Sequence, residues 1–131
     1  MSDVDLRGKR VLVFGGETAL GRAVVIGLAE AGADVAIISL STDTKAEFAI
    51  NSALNELWAL RRQGLALAID VTDAGQVRAA VERADRELGW LDLVIVVGES
   101  TAVDALGERE VVELAVDANA SEALEAVLAG L

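Results

Sequence analysis

The stretch VLVFGGETALGRA, Val11 to Ala23, runs apolar for four residues, breaks at two adjacent glycines and resumes with helical spacing. Val11 to Phe14, bounded by Gly8, Lys9 and Arg10 on one side and Gly15 and Gly16 on the other, reads as a short buried strand. From Ala19 to Ala31 the apolar residues Leu20, Val24, Ile26, Leu28 and Ala29 fit one helical face, and Gly32 stands where a helix stop is expected. The stretch is thus strand, glycine turn and helix. On spacing alone the turn is equally a cradle for phosphate or a plain bend.

The same theme continues outward. Val35 to Ile38 forms a second strand, followed by the hydroxyl-rich SLSTDT, in which Thr42 or Asp43 is placed to cap a helix running toward Gly64. Leu65 to Ile69 reads as a strand, Asp73 to Leu88 as a helix stopped at Gly89, and Leu91 to Val97 as the most apolar strand. Val111, Leu114, Ala115, Ala118, Leu124 and Val127 give Glu108 to Leu128 a helical spacing. Strand and helix alternate four times, which specifies right-handed βαβ units and a parallel sheet covered on both faces. The expected class is α/β, a Rossmann-like sheet of about four strands in the order 3-2-1-4, with residues 1–131 as one domain.

Composition agrees with a buried parallel sheet. The 131 residues are 53% hydrophobic with a mean hydropathy of +0.46 and only 3% aromatic, so the core is built from Val, Leu, Ile and Ala. Net charge is −11, and the eleven Lys and Arg are scattered, which argues against nucleic acid and against anionic membrane surfaces. With no Cys and no His there is neither a disulfide framework nor a zinc site. The charged N-terminus and the lack of any apolar run near 18 residues make the cytoplasm the expected location.

In a doubly wound sheet the loop after the first strand lies at the carboxyl edge, where backbone N–H groups at a helix N-terminus favour anions. Gly15 and Gly16 permit close backbone approach there, and Gly21 lets the helix lie against the strand. Gly16 to Gly21 has GxxxxG spacing, but Arg22 and Ala23 follow where a nucleotide-hydrolysing P-loop needs Lys and Ser or Thr. Glu17 adds a carboxylate beside the turn, which lowers anion affinity unless it faces solvent.

With these residues in place, the chain resembles the short-chain dehydrogenase/reductase family from about Leu6 to Ser121. LRGKRVLVFGG resembles its first strand, and its TGxxxGxG loop falls on Phe14, Gly15, Ala19 and Gly21, so that two of three glycines match. AIDVTD resembles the segment after the third strand, LDLVIVVGES the LDxLVNNAG strand, and VDANAS the segment carrying the family's catalytic Asn, here Asn119. The resemblance implies a dinucleotide cofactor held by Gly15, Gly16, Ala19, Leu20, Gly21, Ser39, Asp70, Val71 and Gly98, with Asp70 beside the adenine. Where an Asp or Glu would take the ribose of NAD at the end of the second strand, Ser39 stands, with Ser41, Thr42 and Lys45 close by. That set leans slightly toward NADP over NAD, while a simple turn and cap accounts for the hydroxyls better than either.

Hydride transfer in this family uses a Tyr, a Lys about four residues on, and a Ser. The chain has no Tyr, and its lysines are Lys9 and Lys45, which leaves Asn119 as the sole catalytic landmark. Two functions follow as expectations: a dinucleotide-binding half of such an enzyme without autonomous oxidoreductase activity, or a non-catalytic oligomerising scaffold whose cofactor site has decayed. The apolar fourth strand, expected at the sheet edge, and the last helix are the expected homo-oligomer surface. Trp58 and Trp90 are expected in the core or at an interface.

Overall fold

A computed structural model describes residues 5–98, 110–115 and 117–129. In chain order its elements are β1 (Arg10–Phe14), α1 (Ala19–Glu30), β2 (Asp34–Ser39), α2 (Thr44–Ala59), β3 (Gly64–Ala68), α3 (Ala74–Leu88), β4 (Leu93–Val97), β5 (Val111–Leu114) and α4 (Ala120–Ala129). The strands form one parallel sheet in the order β3-β2-β1-β4-β5. The class is the expected Rossmann-like α/β sheet, with a fifth strand beyond the expected four.

Near-continuous apolar strands are explained by the two faces of this sheet. Val11 pairs with Val35 and Leu93, and the residues of this parity, among them Val13, Ile37, Ile95 and Val97, pack against α1, α2 and α4. The alternate residues Leu12, Phe14, Ala36, Ile38, Val94 and Val96 pack with α3 through Val77, Ala80, Val81 and Ala84. Each fully buried Val, Leu or Ile contributes about 1.5–3 kcal/mol relative to exposure, so covering both faces fixes the layer order. Helix starts follow side-chain acceptors: Asp43 Oδ1 takes the Ala46 N–H at 2.7 Å and Asp73 Oδ1 takes that of Gly75 at 2.9 Å.

Four expectations are corrected. Glu108 to Leu128 is not one helix, because Val111–Leu114 pairs in parallel with β4 and the helix begins only at Ala120. A short run with two adjacent valines suits a strand as well as a helical face, and the open side of β4 selects the strand. The fourth strand is therefore no edge, and the association surface expected there is occupied by β5 of the same chain. Trp58 and Trp90 are 57% and 67% exposed, which excludes the core from the two places expected for them. Gly64, expected to stop a helix, opens β3, where a side chain would collide with Leu54 and Leu57 of α2. Among the described residues, no helix is long and apolar enough to cross a membrane.

Candidate functional site

Past Phe14 the chain turns through Gly15, whose φ of +93° belongs to glycine. Gly15 also abuts the end of β4, since a Cβ on it would lie 2.9 Å from Val97 Cβ. The carboxyl ends of β1, β2 and β4 meet here, at the point where the strand order reverses and open α/β sheets place their ligands.

The loop's hydrogen bonds sort its N–H groups into two sets. Gly15 and Gly16 both donate to the Ile38 carbonyl, at 2.8 and 3.3 Å, so these two N–H groups tie the loop to β2 and do not face an anion as expected. Thr18 caps α1: its Oγ1 accepts from Gly21 N at 2.9 Å and donates to Gly15 O at 2.7 Å. The N–H groups of Glu17, Ala19 and Leu20 have no acceptor among the described residues. They stand at the positive end of a 12-residue helix, which favours a negative group.

Gly21 is held to glycine by packing, its missing Cβ being 2.0 Å from Gly15 O. Ala19, which stands where the family has glycine, is the first residue of α1, exposed, and in ordinary helical conformation, so a methyl group fits there.

Glu17 does not face solvent. Its Oε2 accepts from Leu40 N at 2.8 Å, joining the glycine turn to the residue after β2, while its Oε1 is buried without a donor. Ser39 is fully buried and its hydroxyl donates to the Ser41 carbonyl. Ser41 Oγ donates to Asp43 at 2.7 Å, so both serine hydroxyls are engaged in the turn and cap. That cap holds the Asp43 carboxyl below its ordinary 3.8, first through the Ala46 N–H and then through Ser41. A cleft of about 190 Å³ opens between them, lined by Glu17, Ser41, Asp43, Lys45, Ala46 and Ala49.

Asp70 follows β3 on the surface, where its Oδ1 accepts from Thr72 N at 2.9 Å and from the Thr72 hydroxyl. These bonds, the hydroxyl first, hold its carboxyl below the usual range. Val71 is half-buried against the α3 side of the core. Gly98 ends β4 at φ +88° and donates to Leu114 O at 2.7 Å. Asn119 was expected inside a helix; it precedes α4 instead, exposed, with Oδ1 accepting from Glu122 N at 3.1 Å. Its observed bonds are those of a helix cap, and none joins it to the glycine turn among the described residues. Two participants escaped the sequence reading. Thr18 carried the usual signal of a hydroxyl residue before a helix, whereas the tie from Glu17 to Leu40 spans 23 positions and has no local signal.

Comparison with known proteins places this geometry. The family model described as short chain dehydrogenase matches residues 9–129. L-rhamnose 1-dehydrogenase (NAD(P)(+)) of Sphingomonas sp. (strain SKA58) is 38% identical over 90 residues, covering 69% of this chain and 34% of that protein. A blue fluorescent protein from a metagenomic library, solved in complex with NADPH, superposes with a TM-score of 0.65 at 35% identity, over 70% of this chain and 36% of its own. A 7α-hydroxysteroid dehydrogenase complexed with NADH and 7-oxo glycochenodeoxycholic acid gives 0.64 at 26% identity, over 71% and 34%. The matches span about a third of each relative's length. With a parallel 3-2-1-4-5 sheet, a glycine turn at its switch point and a family match over nearly all its residues, the chain belongs to the short-chain dehydrogenase/reductase family.

Proposed function

We propose that this chain binds NAD(P)(H) at the carboxyl edge of its sheet and is the cofactor-binding part of a short-chain dehydrogenase/reductase. The carrying observation is the pair of free N–H groups of Ala19 and Leu20 above the Gly15–Gly21 contact. They would hold the pyrophosphate, with Gly15, Gly16 and Gly21 shaping the cradle. Ser39 would fix the corner at the ribose, Asp70 and Val71 would border the adenine, and Gly98 would leave room along β4.

A bound nicotinamide supplies a site for gaining or losing a hydride. The residues of this chain supply binding and orientation, since no Tyr is present and Lys9 and Lys45 lie in β1's approach and at the start of α2. Asn119 alone has no proton to exchange in the useful range. Turnover would therefore depend on acid–base groups from outside these 131 residues.

The test is titration of NADH and NADPH, read by nicotinamide fluorescence and by melting temperature, beside an Ala19→Asp variant. Residue 19 is exposed at the helix start, where a carboxylate suits the fold and opposes a pyrophosphate. Ligand at a hundred times its Kd stabilises by about 2.7 kcal/mol. Saturable binding that vanishes in a normally folded Ala19→Asp supports the proposal. No binding at millimolar cofactor leaves the scaffold reading in its place.

A further inference from the structure

NAD(H) and NADP(H) differ at one position, the adenosine 2′ carbon, which carries a hydroxyl in one and a phosphate in the other. A hydroxyl can donate a hydrogen bond, whereas a phosphate accepts and is best met by cations. In a doubly wound sheet this position lies beyond the end of the second strand. Here that is the corner formed by Ser39, Leu40 and Ser41.

Glu17 reaches this corner from the glycine turn. One carboxylate oxygen, Oε2, is fixed by Leu40 N at 2.8 Å. The other, Oε1, is buried without a donor, an arrangement that costs free energy until a donor arrives. The adjoining cleft has Glu17 and Asp43 as its carboxylates and Lys45 as its cation, which leaves one net negative charge. Of the hydroxyl donors at this corner, Ser39 is engaged with the Ser41 carbonyl and Ser41 with Asp43, while Thr42 stands exposed beside them.

We propose that Glu17 selects NAD(H) over NADP(H): Oε1 receives the ribose 2′-hydroxyl as its missing donor, and the same carboxylate repels a 2′-phosphate. The inference rests on the dinucleotide reading above and reverses the lean toward NADP that the hydroxyl-rich SLSTDT suggests. Selection comes from an acid in the glycine turn, pinned by its backbone bond to the residue after β2, with no acid at the end of β2 itself. Both cofactors occur among the structural relatives, so the choice rests with residues of this chain.

NADH and NADPH dissociation constants are measured for the wild type, Glu17→Gln and Asp43→Asn, with circular dichroism and melting as checks on folding. Gln keeps the size of the side chain and an oxygen for Leu40 N, so the turn is retained while the charge is lost. The wild type is expected to bind NADH at least about tenfold more tightly than NADPH. Glu17→Gln should narrow that ratio about tenfold, mainly by tightening NADPH. Asp43→Asn keeps a capping side chain and should move the ratio the same way by less, which tests the charge balance even if Glu17→Gln folds poorly. Equal affinities in the wild type, a preference for NADPH, or a ratio unchanged by both variants would overturn the selection while leaving the dinucleotide site intact. Failure of the wild type to bind either cofactor would overturn the site, and the selection with it.

Discussion

Gly21 and Gly15 lock the start of α1 onto the end of β1: a Cβ on Gly21 would stand 2.0 Å from the Gly15 carbonyl oxygen, which already accepts from Thr18. The collision is with backbone, so no side-chain rotation relieves it. Gly21→Ala is expected to destabilise the fold by about 1–3 kcal/mol or to shift the whole turn. Urea unfolding monitored at the tryptophans measures this, and an unaltered midpoint would show that the turn is looser than described.

Thr18 is the second fastening of the same turn. Its hydroxyl accepts from Gly21 N and donates to Gly15 O, so Thr18→Ala leaves the Gly21 N–H without its acceptor and Gly15 O with the Thr18 N–H alone. A loss of about 1–2 kcal/mol is expected, with Thr18→Ser restoring most of it. A merely steric role for the methyl group would give the opposite ranking, with Ser no better than Ala.

These fastenings show where sequence patterns carry information and where they do not. The first four strands were legible because continuous apolar runs sit between glycines and capping aspartates, and a parallel sheet buried on both faces needs such runs. β5 was not, because Val111, Leu114, Ala115 and Ala118 are spaced for a helix while the partner that makes Val111 to Leu114 a strand, Val94 to Val97, lies elsewhere in the chain. In the candidate site, Gly15 and Gly21 announced themselves by spacing. The route of Glu17 to Leu40 depends on β1 and β2 lying side by side, a consequence of folding that one-dimensional periodicity does not contain. Asn119 was recognised by its surroundings, yet its place depended on where the last helix begins, and element boundaries are set by capping and packing together.

The cap of α2 gives a pH dependence with a definite sign. Asp43 is held below its ordinary 3.8 by the Ala46 N–H, the Ser41 hydroxyl and the nearby Lys45. A depressed folded-state value means that its contribution to stability is complete above about pH 4 and is lost as pH falls through the folded value. Asparagine caps a helix as well as aspartate does but does not titrate in this range. Wild type should therefore be the more stable at pH 7, with the gap to Asp43→Asn closing in acid. Melting temperatures of the pair from pH 7 to pH 2.5 decide it, and a gap independent of pH would remove the charge from the explanation.

The fifth strand makes the most discriminating prediction about the fold. Val94 N donates to Glu110 O and Gly98 N to Leu114 O, which sets the parity of the parallel ladder. Val112 and Leu114 then direct their N–H groups at β4, while those of Val111 and Glu113 face away from it. Val112→Pro removes a ladder bond and is expected to cost about 1–3 kcal/mol, whereas Glu113→Pro occupies an outward position that strand edges tolerate. Amide exchange should show the same alternation, slow at Val112 and Leu114 and fast at their neighbours. A helix through Val111 to Ala115 would instead suffer from either proline and protect consecutive amides, so the two patterns separate the strand from the helix that the sequence spacing alone suggests.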